Sequence, residues 1–141
     1  MKVNLTIKPS NVSGYLNINA AEGGDIAAFG NMVSDSEAVE ILATDIINSV
    51  PMEKIEELID GWIKKLRHGG KLVIGGVDAF EVCRAVSHTS LSIKEFNQII
   101  HEGRSSQISI SDLSEILSKK GLTILKKRLS GFNMIVEAQR P

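Results

Sequence analysis

The side chains able to do chemistry in this chain are few and scattered. Asp78 follows the apolar run Lys71-Leu72-Val73-Ile74-Gly75-Gly76-Val77, so it would stand at the end of a strand. From there a carboxylate can act on a ligand as an acid or a base. Its D-x-x-E spacing to Glu81 also describes a helix N-cap, the reading favoured here. Asp45 and Asn48 follow a second apolar run, Val39 to Ala43. They can face a ligand at the sheet edge or serve as turn and cap residues before Pro51, and the structural role is again favoured. His68, His88 and His101 share no i, i+4 spacing and no carboxylate pattern, so no metal site is expected. Cys83 is the single cysteine, which excludes an internal disulfide and every Cys-based zinc motif; it is expected to act as a small apolar residue on a helix face. No Ser-His-Asp arrangement is recognisable, and Gly-x-Ser-x-Gly is absent. Lys119, Lys120, Lys126, Lys127 and Arg128 cluster late. Four Phe, one Tyr and one Trp are largely accounted for by the core, which leaves little for base stacking and argues against nucleic acid as a partner.

The elements that must position these residues follow from periodicity. Val3, Leu5 and Ile7 alternate with polar neighbours and predict a first strand; Tyr15 to Ile18 predicts a second, after a turn-rich stretch from Pro9 to Gly14. Glu22, Gly23, Gly24 and Asp25 break the pattern, a short strand is expected near Met32 and Val33, and Val39 to Ala43 is another. The clearest helix spans about Pro51 to Arg67. Met52, Ile55, Leu58, Ile59, Trp62, Ile63 and Leu66 form its apolar stripe, with Gly69 as its stop. Lys71 to Val77 reads as a buried parallel strand, with Gly75-Gly76 marking a close backbone approach. Three short capped helices follow. One carries Phe80, Cys83 and Val86. One begins at Ser92 with Glu95 and the Leu91–Phe96 staple, and ends near Gly103. One begins at Asp112 with Glu115 and is closed by Gly121. Leu122 to Leu125 and Phe132 to Ala138 pair as a hairpin around Ser130-Gly131. The pattern is α/β, with a mostly parallel sheet and an antiparallel strand at the C-terminus. About eight residues separate the first two strands, too few for a helical crossover. Either an irregular loop replaces the helix, or those strands are not parallel neighbours.

Composition sets the outer bounds. With 141 residues, 43% hydrophobic and 23% charged, the chain reads as one globular domain over residues 1–141. Sixteen Lys and Arg against seventeen Asp and Glu leave a formal charge of −1, so no global field points to a polyanion. No apolar run approaches the ~18 residues of a membrane span; Met1 to Leu5 carries no apolar h-region, so no leader and a cytoplasmic location are expected.

Several segments together resemble the short class I S-adenosylmethionine-dependent methyltransferases. Lys2-Val3-Asn4-Leu5 resembles their opening K-L-N-L, and Gly14-Tyr15-Leu16-Asn17-Ile18 their G-Y-I-N-V second strand. Val39-Glu40-Ile41-Leu42-Ala43 resembles their fourth strand, and Leu58 to Val77 their L-L-x-E-W-x-R-V-L-K-P-G-G-x-L-x-I-x-x-P, with Asp78 following as their P-D aspartate. Leu91 to Ile100, Leu113 to Leu122 and Ile135 to Ala138 continue the order over about four-fifths of the chain. The resemblance implies a Rossmann-like methyltransferase fold, with ligands bound beyond the carboxyl ends of the strands at the switch point.

At the positions where the family holds its cofactor, the residues differ. Thr6, Ile7 and Lys8 stand where the pattern has G-C-G, and no G-x-G occurs elsewhere in the chain. Glycine lets the cofactor lie against the backbone, whereas these side chains add volume there. Asn19 stands in place of the family's ribose-binding Asp, keeping an acceptor but losing its charge. Asp45-Ile46-Ile47-Asn48-Ser49 replaces H-V-L-E-H, keeping the apolar pair and losing the polar groups. Two functions follow. The favoured one is a methyltransferase-like domain with a degenerate S-adenosylmethionine site and a binding or scaffold role toward a small-molecule ligand or protein partner. The alternative is an active methyltransferase on an unknown acceptor. An open sheet edge also allows a homo-oligomer.

Overall fold

The computed structural model describes residues 1–20, 26, 29–102 and 104–141. The break expected at Glu22–Asp25 and the helix end expected near Gly103 lie outside them. Six strands form one sheet: β1 (Lys2–Thr6), β2 (Leu16–Asn19), β3 (Ala38–Ala43), β4 (Leu66–Val77), β5 (Thr123–Ser130) and β6 (Asn133–Gln139), in the order β2-β1-β3-β4-β6-β5. The first four strands are mutually parallel, β6 runs antiparallel to β4, and β5 runs antiparallel to β6. Among the described residues four α-helices accompany them: α1 (Ile55–Lys65), α2 (Ala79–Ser87), α3 (Ile93–His101) and α4 (Ile110–Lys119). The expected α/β class, with a mostly parallel sheet and an antiparallel C-terminal strand, is the observed one: β6 alone runs against the other five strands.

Strand register divides the side chains between two unlike faces, because alternate residues point to opposite sides. Val3, Leu5, Ile41, Ala43, Leu72, Ile74, Val136 and Ala138 align across β1, β3, β4 and β6 and are fully buried. Ile55, Ile59 and Trp62 of α1 and Leu113 and Leu117 of α4 pack into that same cluster. The opposite face is polar. One row reads Lys2, Glu40, Lys71 and Gln139, and the next Asn17, Asn4, Leu42, Val73, Glu137 and Lys126. Its apolar members Leu42, Val73 and Ile135 belong to neither hydrophobic cluster. Parallel sheets are normally covered on both sides. Here polar pairs satisfy much of the second side: Lys71 and Glu137 lie 3.8 Å apart, and the Tyr15 hydroxyl donates to Glu40 at 2.7 Å.

The short link between the first strands resolves as the irregular-loop alternative. β1 and β2 are parallel neighbours, and residues 7–15 cross between them without a helix. Asn4 pins this loop by donating to Ser10 O (3.0 Å) and to Asn17 Oδ1 (2.9 Å).

Four local expectations need correction. No strand forms at Met32–Val33; a short 3-10 turn, Phe29–Asn31, precedes them, and the segment resembling the family's fourth strand is the third strand here. The long helix begins with a separate 3-10 turn at Met52–Lys54 and ends at Lys65. Leu66 turns extended to pair with Ala38, and Gly69 (φ +79°) lies inside β4 instead of stopping the helix. Helix α2 buries Val82, while Phe80 and Cys83 are exposed. Helix α4 starts from Ser109, whose hydroxyl accepts from the Asp112 N–H while the Asp112 carboxylate accepts from the Ser109 N–H, so Asp112 is the box partner and not the cap.

Among the described residues no helix is long and apolar enough to cross a membrane.

Candidate functional site

The sheet reverses its winding at β1, which has β2 on one side and β3 on the other. The carboxyl ends of β1, β3 and β4 open there onto a cleft of about 370 Å3. Ile7 and Lys8 enter it from the end of β1, Thr44 and Asp45 from the end of β3, Gly76 and Val77 from β4. Asn48 and Ser49 after β3, the β6 start, Asn133 to Ile135, and the chain beyond α3, with Glu102 and Arg104, complete the wall.

Asp45 determines what the end of β1 can offer. Its Oδ1 accepts from the Ile7 N–H and its Oδ2 from the Lys8 N–H, both at 2.9 Å. Two successive backbone donors at a strand end form an anion-binding position, and here the chain's own carboxylate fills it. Thr6 and Asn19 meet each other: they are register partners across β1 and β2, and the Asn19 amide donates to Thr6 Oγ1 at 3.3 Å. Thr6 is buried, whereas Lys8 extends into solvent at the cleft rim. The sequence-predicted positions Thr6, Ile7, Lys8, Asn19 and Asp45 are thus brought together at one strand end.

Asn48 and Asp78 serve the framework. Buried Asn48 accepts from the Val77 N–H at 2.8 Å and donates to Ser106 O at 3.2 Å, tying the chain after β3 to β4 and to the segment before α4. The glycine pair permits this closeness. A Cβ on Gly76 would lie 2.7 Å from Asn48 Oδ1 and Ile47 Cγ2, and one on Gly75 would lie 2.8 Å from Thr44 O. Asp78 is 2% exposed, and both its oxygens are used. Oδ1 accepts from the Glu81 N–H at 2.9 Å, and Oδ2 from the Ile110 N–H at 2.6 Å, so one carboxylate caps the starts of α2 and α4. It does not line the cleft.

Arg104, Glu102 and the β6 residues were not singled out by sequence. The Arg104 guanidinium donates to Ile99 O (2.7 Å), which holds it against the end of α3. The available signal was the C-terminal hairpin, because an antiparallel partner of β4 must begin where β4 ends. The cleft rim carries two cations, Lys8 and Arg104, and two carboxylates, Asp45 and Glu102. Among the described residues no three His, Cys, Asp or Glu side chains gather as a metal site would require.

No protein-family model matches the chain, and no curated protein does. Solved structures do. A SAM-dependent methyltransferase from Archaeoglobus fulgidus superposes with a TM-score of 0.62 at 11% identity, over 90% of this chain and 68% of its own. A SAM-dependent methyltransferase of Thermotoga maritima, described as a possible histamine N-methyltransferase, gives 0.61 at 15%, over 91% and 65%. The magnesium protoporphyrin IX methyltransferase of Synechocystis, solved with bound SAH, gives 0.56 at 16%, over 83% and 49%. The chain therefore spans about half to two thirds of the length of these three neighbours. Identities this low speak for the backbone alone. The chain has the class I S-adenosylmethionine-dependent methyltransferase-like fold.

Proposed function

We propose that this chain is a methyltransferase-like binding domain whose switch-point cleft does not hold S-adenosylmethionine. The Asp45 clamp carries this reading. A cofactor approaching the end of β1 meets backbone donors already bound to a carboxylate, with no glycine to admit close contact. The Thr6–Asn19 pair supports it, because the position where the family resemblance implies a ribose-binding Asp carries an uncharged amide turned toward its neighbour strand. The cleft that remains has an apolar floor, Ile7, Val77, Met134 and Ile135, and a rim of balanced charge. Such a site suits a small ligand of mixed polarity, and the domain acts through binding that ligand or a partner protein.

Thermal melting with 1 mM S-adenosylmethionine, or its demethylated product, tests the proposal. The expected result is an unchanged Tm. A ligand at a hundred times its Kd adds ~2.7 kcal/mol to a two-state fold. A saturable rise of several degrees would therefore overturn the reading and favour an active methyltransferase instead.

A further inference from the structure

Strand β5 closes one side of the sheet, and among the described residues only β6 pairs with it. Its register shifts at Leu125, and beyond that irregularity its outer edge presents backbone donors and acceptors along Lys126–Ser130. The side chains there form the series Leu125-Lys126-Lys127-Arg128-Leu129, all exposed, with Leu125 and Leu129 at 49% and 44%. Lys126 pairs in register with Glu137, but the Glu137 carboxylate is the one that lies near Lys71. None of Lys126, Lys127 and Arg128 has a carboxylate within ion-pair distance among the described residues, although Lys119 and Lys120 just before them pair with Glu115 and Asp60. Register places Lys126 and Arg128 on the polar face, beside Glu137 and Ile135, and Lys127 on the other face, beside Val136. Uncompensated positive charge thus flanks the open edge on both sides.

A second copy of this chain, paired antiparallel about the middle of β5, does not fit. Antiparallel pairing of two β5 strands about their middle would set Lys127 against Lys127 and Lys126 against Arg128, and like charges directly opposite are destabilising. We propose that this edge docks an extended acidic segment of a partner protein, added as a seventh strand. Its pattern would complement that of β5: an apolar residue, three carboxylates, then an apolar residue. Consecutive carboxylates are required because the cations alternate between faces. Main-chain pairing supplies the affinity and the charges select the partner. The inference stands whether or not the cleft holds a cofactor.

The test is fluorescence anisotropy on the full chain with a labelled, end-blocked peptide, Ser-Val-Glu-Asp-Glu-Val-Ser. Saturable binding is expected. It should weaken by about tenfold or more in the variant Lys126→Glu/Lys127→Glu/Arg128→Glu, as three attractive cross-strand pairs become repulsive. The counterpart peptide with three lysines should then bind the variant in preference to the parent. The acidic peptide carrying N-methyl groups on alternate residues should not bind. Absence of saturable binding would overturn the proposal and leave the charges as a guard against self-pairing. Equal binding of the N-methylated peptide would overturn it as well, since charge attraction without strand addition would then suffice.

Discussion

Asp45 supplies a carboxylate to two successive backbone donors at the end of β1. The Ile7 hydrogen bond is part-buried and the Lys8 one exposed, so removing the carboxylate leaves one donor partly screened from water. An unsatisfied shielded donor costs ~1–3 kcal/mol. Asp45→Ala is expected to lose about 1–2 kcal/mol in urea unfolding, and Asp45→Asn about half of that, because one acceptor oxygen remains. Equal stability of all three proteins would remove the clamp from the account. A second residue-level prediction concerns Tyr15, the only tyrosine. Its hydrogen bond to Glu40, then burial, then the nearby carboxylate charge push its pKa up from 10.0 to about 12. The folded state therefore holds its proton where the unfolded chain has released it. The stabilisation is complete below pH 10 and is lost as pH rises through about 12. Phenolate absorbance should show a midpoint near the raised value, moving back toward the ordinary one in Glu40→Gln; an unmoved midpoint would exclude Glu40 as the cause. The sequence identified Asp45 and Asp78 as the polar residues to watch, and the capping half of Asp78 was legible from Glu81. Its second partner, the Ile110 N–H, was not, nor were the two donors that Asp45 accepts, because they lie 32 to 38 positions away.

At the level of elements, local signals succeeded where the decisive partner was also local. The Ser92–Glu95 box is present with both of its hydrogen bonds, and the Gly131 turn (φ +61°) joins the expected hairpin. The end of α1 is not legible locally, because Arg67 and His68 continue a plausible helix, whereas the Leu66–Ala38 pairing draws the chain into the sheet. The start of α4 was misplaced because Ser109-x-x-Asp112 and Asp112-x-x-Glu115 offer the same spacing three residues apart. Only tertiary structure distinguishes them: Asp78 reaches the Ile110 N–H and selects the earlier start. The Gly75-Gly76 pair was read correctly as a close approach. Gly76→Ala would drive a methyl group into Asn48 and Ile47, both buried, and overpacking of this kind costs ~1–3 kcal/mol. We expect Gly76→Ala to lower Tm by several degrees and to weaken the Asn48–Val77 hydrogen bond, read as faster exchange of the Val77 amide. Unchanged exchange at Val77 would contradict that coupling.

For the molecule as a whole, alternation along β1, the apolar runs of β3 and β4 and the hairpin turn before β6 make the sheet legible, and the order of segments makes the fold legible. Coverage of the sheet is not. A doubly wound sheet leads one to expect helices on both sides, but residues 7–15 cannot hold one, and α1 and α4 both pack on the same side. The polar second side is written in the sequence as Lys2, Asn4, Glu40, Lys71 and Glu137, which look like ordinary surface residues until register aligns them.

The row Lys2, Glu40, Lys71, Gln139 has a topological consequence. β1 and β6 run in opposite directions, so the start of one and the end of the other reach the same side of the sheet. Both ends are fastened there: Met1 O accepts from the Val39 N–H at 2.7 Å, and the Arg140 N–H donates to Gly70 O at 3.0 Å. Three strand spacings of ~4.8 Å separate them, about 14 Å. A linker of about five residues at ~3.3–3.6 Å each spans that gap. A variant that joins Lys2 to Gln139 through such a linker and is reopened at the Gly131 turn is therefore expected to keep the strand order and every strand pairing.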